Sequence, residues 1–337
     1  MKIRTASPLL SPSLLLAAAC LLGLHASASG QPTSAAVGNT APPQTQAPAP
    51  RRLADIPYGP SPRQRMDVYL PPHPSCAPIL LMVHGGAWMV GNKSMPQVVD
   101  AKVAHWVGER GFVFVSVDYR IVPEADPAMQ AQDVARAMAA VQAAAPSWGA
   151  DPRRLVLMGH SAGAHLAALL SADTTLAARE GAKPWLGTVV LDSAALDTVG
   201  LMQRPHLRFY DRAFGSDPEG WRRASPTAQL AAGTRPPPML LVCSTRRADG
   251  SCEQAQAFAR KVEAAGGRAG LRPENLTHLE INAELGRPGA YTQAVDGFID
   301  PLVGGPGCAP RSGVDGGSGL NGLARAEMRL GFVRGNG

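Results

Sequence analysis

Short, wholly apolar runs alternate with amphipathic stretches through the middle of this chain. Runs such as ILLMVHGG (79–86) and FVFVSV (112–117) carry almost no polar positions, as strands covered on both faces do. The pattern predicts strands over Gln64–Leu70, Ile79–His84, Phe112–Asp118, Leu155–Gly159, Thr188–Leu191 and Met239–Ser244, with a weaker one at Gly270–Pro273. Apolar positions near a 3.6-residue period predict helices over Gln97–Arg110, Ala128–Ala145, Ala162–Ala172, Glu253–Gly266 and Tyr291–Leu302. Strand and helix follow each other in turn, so the expected fold is α/β: a mostly parallel central sheet with helices on both faces. One stretch, Met202–Gln229, breaks the alternation; it carries Phe209, Tyr210, Phe214 and Trp221 without clean periodicity and reads as a cap inserted over a site.

The ends of the chain lack this pattern. Lys2 and Arg4 precede an apolar stretch, Leu9–Leu24, broken by Pro12, and the small residues of HASASG then offer a cleavage point at Ala28. That is the layout of a secretory signal peptide over residues 1–28, and it is too short and interrupted for a stable membrane span. Cys20 leaves lipoprotein anchoring as an alternative. Residues 29–55, rich in Pro, Ala, Thr, Gln and Ser, read as a disordered linker. The globular domain is expected over 56–303, followed by a loose glycine-rich tail over 304–337. Export makes the chain periplasmic or secreted. Past the signal, Cys76, Cys243, Cys252 and Cys308 remain, an even number that suggests disulfides, Cys243 with Cys252 across a small loop and Cys76 with Cys308.

The 337 residues are 45% hydrophobic and 17% charged, enough for a sizeable core. The net charge of +6 comes from scattered single and paired basic residues. No basic stripe or aromatic platform accompanies it, which argues against a nucleic-acid partner. No metal-ligand spacing, dinucleotide fingerprint or phosphate loop occurs, so no cofactor is expected. Oligomeric state leaves no signal.

The chemistry concentrates at Gly159-His160-Ser161-Ala162-Gly163, a G-x-S-x-G joint between a strand and a helix. Such a joint holds a serine hydroxyl out of a strained turn, with flanking glycines relieving the crowding. The N–H of Ala162 is one expected oxyanion donor. Upstream, His84-Gly85-Gly86 ends an earlier strand, and the N–H groups of Gly85 and Gly86 are the other expected donors. A serine nucleophile needs a histidine later in the chain. Of the eight histidines only His165, His206 and His278 follow Ser161. His165 lies one helical turn on and His206 lies in the irregular segment, so His278, after the last strand, is the expected base. The acid is expected on the loop after Met239–Ser244, with Asp249 first, Glu253 second and Asp192, after the preceding strand, third. A disulfide between Cys243 and Cys252 would stiffen that loop. Asp118, Arg120 and Asp133 are expected to pair beneath the site, and His160 to pack beside it. Trp88 either lines the pocket or covers the core.

With HGGAW, VDYR, GHSAGAHLAALL and the distal THLEIN, the chain resembles the α/β-hydrolase superfamily over roughly Asp67 to Val303. Within it the carboxylesterase branch is closest, the kynurenine formamidase-like and hormone-sensitive-lipase-like enzymes. The resemblance implies that Ser161 is the nucleophile, Gly85 and Gly86 line the oxyanion hole, His278 is the base and Asp249 the acid. It implies hydrolysis of a small-molecule ester through an acyl-enzyme. Ala87 stands where lipase-type members often have a third glycine, which brings the chain nearer the formamidase-like group. An aryl formamidase is the alternative enzyme reading; a binding protein on an inactive scaffold is the alternative of another kind.

Overall fold

The computed structural model describes residues 50–304. The expected signal peptide, Cys20, most of the linker, Cys308 and the tail lie outside the described residues. Eight strands form one sheet: β1 (Arg51–Pro57), β2 (Arg65–Leu70), β3 (Ala77–Val83), β4 (Val113–Val117), β5 (Ala150–His160), β6 (Gly187–Leu191), β7 (Met239–Ser244) and β8 (Ala269–Glu274). Their order across the sheet is β1-β2-β4-β3-β5-β6-β7-β8. β2 is antiparallel to β1 and β4, and every later pairing is parallel. This is the expected α/β architecture.

β3 and β4 are buried at every residue, because helices cover both faces of the central strands. Each wide face of the sheet carries its own apolar core. One holds Leu81, Val115 and Leu157 with the long helix α2 (Pro127–Ala144); the other holds Leu80, Phe114 and Met158. The expected single helix over Gln97–Arg110 is instead α1 (Pro96–Lys102) running into π-helical turns over Val103–Glu109. β1 begins at Arg51, inside the stretch expected to be linker. It is an edge strand with a mostly exposed, charged sequence, so it carries no apolar run to mark it.

β5 delivers the chain into α3 (Ala162–Ala172), which is buried along its whole length, and α4 (Thr174–Arg179) follows. The irregular segment after β6 resolves into four short helices, α5 (Thr198–Met202), α6 (Arg208–Phe214), α7 (Pro218–Arg223) and α8 (Pro226–Gln229). Asp197, Asp217 and Ser225 cap three of them with side-chain bonds to backbone N–H groups. α9 (Ser251–Ala264) follows β7, and β8 is followed by α10 (His278–Ala283) and α11 (Ala290–Val303). α10 was not expected. Its signature is a capping box, in which Thr277 accepts from the Glu280 N–H and the Glu280 carboxylate accepts from the Thr277 N–H.

Candidate active site

The carboxyl ends of β3, β5, β6 and β7 meet at one rim of the sheet, where ligands of open parallel sheets bind. At the end of β5, Ser161 has φ 57° and ψ −117°, a conformation an L-residue adopts only under constraint. Its N–H donates to the Leu191 carbonyl at 2.9 Å, and its own carbonyl accepts from the His165 N–H at 3.1 Å. The turn can be this sharp because of its glycines. A Cβ on Gly159 would fall 2.2 Å from the Gly163 carbonyl oxygen, and one on Gly163 would fall 2.2 Å from that of Val83.

The His84–Gly86 backbone passes directly over the serine. A Cβ on Gly85 would sit 2.8 Å from the Ser161 Cβ. The Gly86 carbonyl accepts from the N–H groups of Met89 and Val90, both at 3.0 Å, and so closes the loop. The Tyr119 hydroxyl holds the His84 carbonyl at 2.8 Å, and the Gln130 amide holds that of Trp88 at 2.9 Å. Among the described residues, no hydrogen bond engages the N–H groups of Gly85, Gly86 or Ala162.

His278 is the first residue of α10, and its imidazole returns to the rim. Its Nε2 lies 2.8 Å from Ser161 Oγ, and its Nδ1 lies 2.6 Å from Asp192 Oδ2. The carboxylate against the imidazole is therefore that of Asp192, not Asp249. Asp192 follows β6, is fully buried, and takes a positive φ of 57° that turns its side chain toward α10. The Ser244 N–H and the Ser251 hydroxyl both donate to its Oδ1 at 2.8 Å. Burial alone would raise its pKa. The hydrogen bond from His278, the Arg247 charge and the Ser244 N–H outweigh burial and hold the carboxyl well below its ordinary range.

The stapled loop after β7 has a different place at the site from the one expected. The Cys243–Cys252 disulfide is present. Between the two cysteines, however, Asp249 is taken up by Arg247, whose Nε lies 2.8 Å from its Oδ1 and whose Nη2 pairs with its Oδ2. Glu253 lies in the first turn of α9. It is Arg247 that reaches inward, with Nη1 at 3.0 Å from Asp192 Oδ2 and 2.9 Å from His278 Nδ1. Acidic residues at the ends of β6 and β7 look alike in sequence. Which one reaches the imidazole depends on strand adjacency and on the turn at Asp192. No local signal points to Arg247.

The remaining expected residues fall as follows. His160 is buried beside His278, with ring centroids 4.6 Å apart, and its Nε2 meets the His278 carbonyl at 2.9 Å. Burial and then the neighbouring His278 lower its pKa to about 3, so it stays neutral. His165 is fully buried and accepts from the Trp88 indole N–H at 3.2 Å while its Nε2 meets the Ala224 carbonyl at 2.6 Å. Burial lowers its pKa to about 4. Trp88 is itself buried, against Tyr210 and Phe214 of the inserted helices. It therefore joins the glycine loop to that segment. His206 pairs with Asp211 on the same segment. Arg120 grips Asp133 with two bonds, at 2.7 and 2.8 Å, and the Asp118 carboxylate accepts from the Lys93 N–H, as the paired-charge reading anticipates. Among the described residues no cluster of His, Cys, Asp and Glu is arranged to hold a metal ion, and no helix is long and apolar enough to cross a membrane.

The BD-FAE family model matches residues 66–195, a span that includes both Ser161 and Asp192. An isoprenylcysteine alpha-carbonyl methylesterase of Arabidopsis thaliana is 28% identical over 264 residues, 73% of this chain and 61% of that protein. A kynurenine formamidase of Danio rerio is 36% identical over 126 residues, 36% of this chain and 40% of that protein. The chain thus spans less than two thirds of the length of these curated relatives. Esterase B of Lactobacillus rhamnosus, a solved structure, shares the fold with a TM-score of 0.62 at 19% identity, covering 76% of this chain and 87% of that one. Strand order, serine turn and sequence matches agree: the chain has the α/β-hydrolase fold and is similar in sequence to carboxylesterases of that fold.

Proposed function

We propose that this protein is a serine carboxylesterase that hydrolyses small carboxylic esters through Ser161, His278 and Asp192. The observation that carries the reading is the continuous line from Ser161 Oγ to His278 Nε2 at 2.8 Å and from His278 Nδ1 to Asp192 Oδ2 at 2.6 Å. Asp192 accepts a hydrogen bond from the Nδ1–H, which leaves the Nε2 lone pair facing the serine. His278 takes the hydroxyl proton as Oγ attacks the ester carbonyl. The tetrahedral oxyanion is held by the N–H groups of Gly85, Gly86 and Ala162. As the intermediate collapses, His278 protonates the leaving alkoxide, and the alcohol departs. Water then attacks the acyl-serine, giving its proton to His278, and the carboxylic acid leaves as Ser161 regains its hydrogen. Each lost oxyanion donor costs about a hundred- to a thousandfold in rate.

The same machinery can cleave an aryl formamide, and the local match to a kynurenine formamidase favours keeping that substrate in the test. Export is part of the proposal: the signal-like residues 1–28 and the Cys243–Cys252 disulfide both support a home outside the cytoplasm. The test is hydrolysis of p-nitrophenyl acetate, butyrate and octanoate, an acetylated sugar and N-formylkynurenine by the protein and by Ser161→Ala. Cleavage of the short esters that vanishes in a folded Ser161→Ala supports the esterase. Preference for N-formylkynurenine moves the reading to a formamidase, and equal turnover by Ser161→Ala refutes it. No turnover by either protein favours a binding role for the scaffold.

A further inference from the structure

A cation stands inside the acid–base pair. Arg247 is mostly buried, and its Nη1 touches three atoms of the site at once: Asp192 Oδ2 at 3.0 Å, the Asp192 carbonyl oxygen at 2.9 Å and His278 Nδ1 at 2.9 Å. The other edge of the guanidinium pairs with Asp249. With the Nδ1 proton donated to Asp192, Arg247 and His278 are two donors sharing one carboxylate oxygen. The positive charge then lies in contact with a ring that becomes positive during the reaction. The loop bearing Arg247 is closed by the Cys243–Cys252 disulfide, and Ser244 and Ser251, which hold Asp192 Oδ1, each adjoin one of those cysteines.

We infer that Arg247 is a positioning residue that locks the Asp192 carboxylate onto His278 Nδ1 and so holds the imidazole with Nε2 facing Ser161. This rests on the esterase reading for its kinetic consequence, but not for its electrostatics. Other groups face His278 without removing the effect. His160, from the end of β5, is neutral. Asp249 partly screens Arg247. Glu280, on α10 itself, is turned to the Thr277 N–H and lies 3.5 Å from Arg246. Lys102 of α1 is spent on the Asn282 and Gln97 carbonyls, and Tyr210 of α6 is un-ionised at neutral pH.

The experiment is kcat and KM on p-nitrophenyl acetate for the protein, Arg247→Met, Arg247→Lys and Asp249→Asn. Arg247→Met should lose about tenfold or more in kcat with KM little changed, and Arg247→Lys, which keeps a charged donor for Asp192, should regain most of it. Asp249→Asn, which leaves the contacts of Nη1 in place, should stay within about tenfold of the parent. A parental kcat in Arg247→Met, equal losses in Arg247→Met and Arg247→Lys, or a change confined to KM overturns the inference. Arg247→Lys keeps it testable if Arg247→Met fails to fold. The Nδ1 proton resonance of His278, read by NMR in the Ser161→Ala background, should be lost or displaced in Arg247→Met and kept in Arg247→Lys, a readout without turnover, so failure of the esterase reading and failure of this one are separable.

Discussion

Replacing Asp192 by asparagine should remove nearly all activity at pH 8 while leaving the protein folded. The carboxylate is fully buried and lies 2.6 Å from His278 Nδ1. When the imidazole becomes charged, the centres of the two charges are about 4 Å apart, worth about 4 kcal/mol at the effective dielectric of such sites. At 1.36 kcal/mol per decade that is about a thousandfold in kcat. A second effect adds to it. The Ser244 N–H and Ser251 hydroxyl require an acceptor at Oδ1, so the new amide NH2 must take the place of Oδ2. It then donates to Nδ1 and forces the proton onto Nε2, the tautomer that cannot accept from serine. The combined loss should reach about 10⁴. Asp249→Asn, whose partner is Arg247 at the rim, should stay within about tenfold of the parent at its plateau. The assay is initial rates on p-nitrophenyl acetate, with thermal melts to confirm folding. A thousandfold loss in Asp249→Asn beside near-parental Asp192→Asn would refute the geometry and return the acid to the loop after β7.

Gly85→Ala should lose a hundredfold or more in kcat with little change in melting temperature, because its Cβ would press on Ser161 from 2.8 Å; near-parental rates would show the loop is free to move aside. Gly163→Ala should instead cost the fold about 3 kcal/mol or more, seen by denaturant titration, since the obstacle at 2.2 Å is the β3 backbone. Replacing Cys243 and Cys252 by alanine opens a loop with a sequence separation of 9, and denaturant titration should read a loss of about 2–3 kcal/mol. Stability should also fall on acidification. His160 and His165 have folded pKa values of about 3 and 4, below the unfolded value of about 6.5, so the unfolded chain takes up protons first. Their contribution is whole above pH ~6.5 and is lost as pH falls toward those folded values, roughly 2 kcal/mol each by pH 5. His165→Gln should flatten part of that slope in pH-dependent melts, and an unchanged slope would show that His165 does not contribute to it.

Much of the site could be read along the chain because it is local. The serine turn needs glycines two residues before and two after it, and the glycine loop needs to follow a strand, so both are written as contiguous residues. His278, the imidazole beside Ser161, emerged from chain order as the histidine after the last strand. β3, β4, β6, β7 and the buried second half of β5 were legible because covering both faces makes nearly every residue apolar. β1 and α10 were not. An edge strand exposed to water has no need of apolar alternation, and a six-residue helix is held by its cap and by packing rather than by a periodic face.

The acid is a different kind of question. Asp249, Glu253 and Asp192 each lie at or near the end of a strand, and the order in which the sequence favours them, Asp249 first and Asp192 last, is not the order in space. Only the assembled sheet distinguishes them. β6 lies between β5 and β7, so a side chain turned over its end by the positive φ of Asp192 reaches the imidazole above β5. The loop after β7 sends in a guanidinium instead and occupies Asp249 with it. The serine turn, the glycine loop and the place of the histidine follow from short-range backbone sterics and chain order, which a linear sequence encodes directly. The carboxylate that completes them follows from distances between residues 86 positions apart, which exist only once the strands have paired.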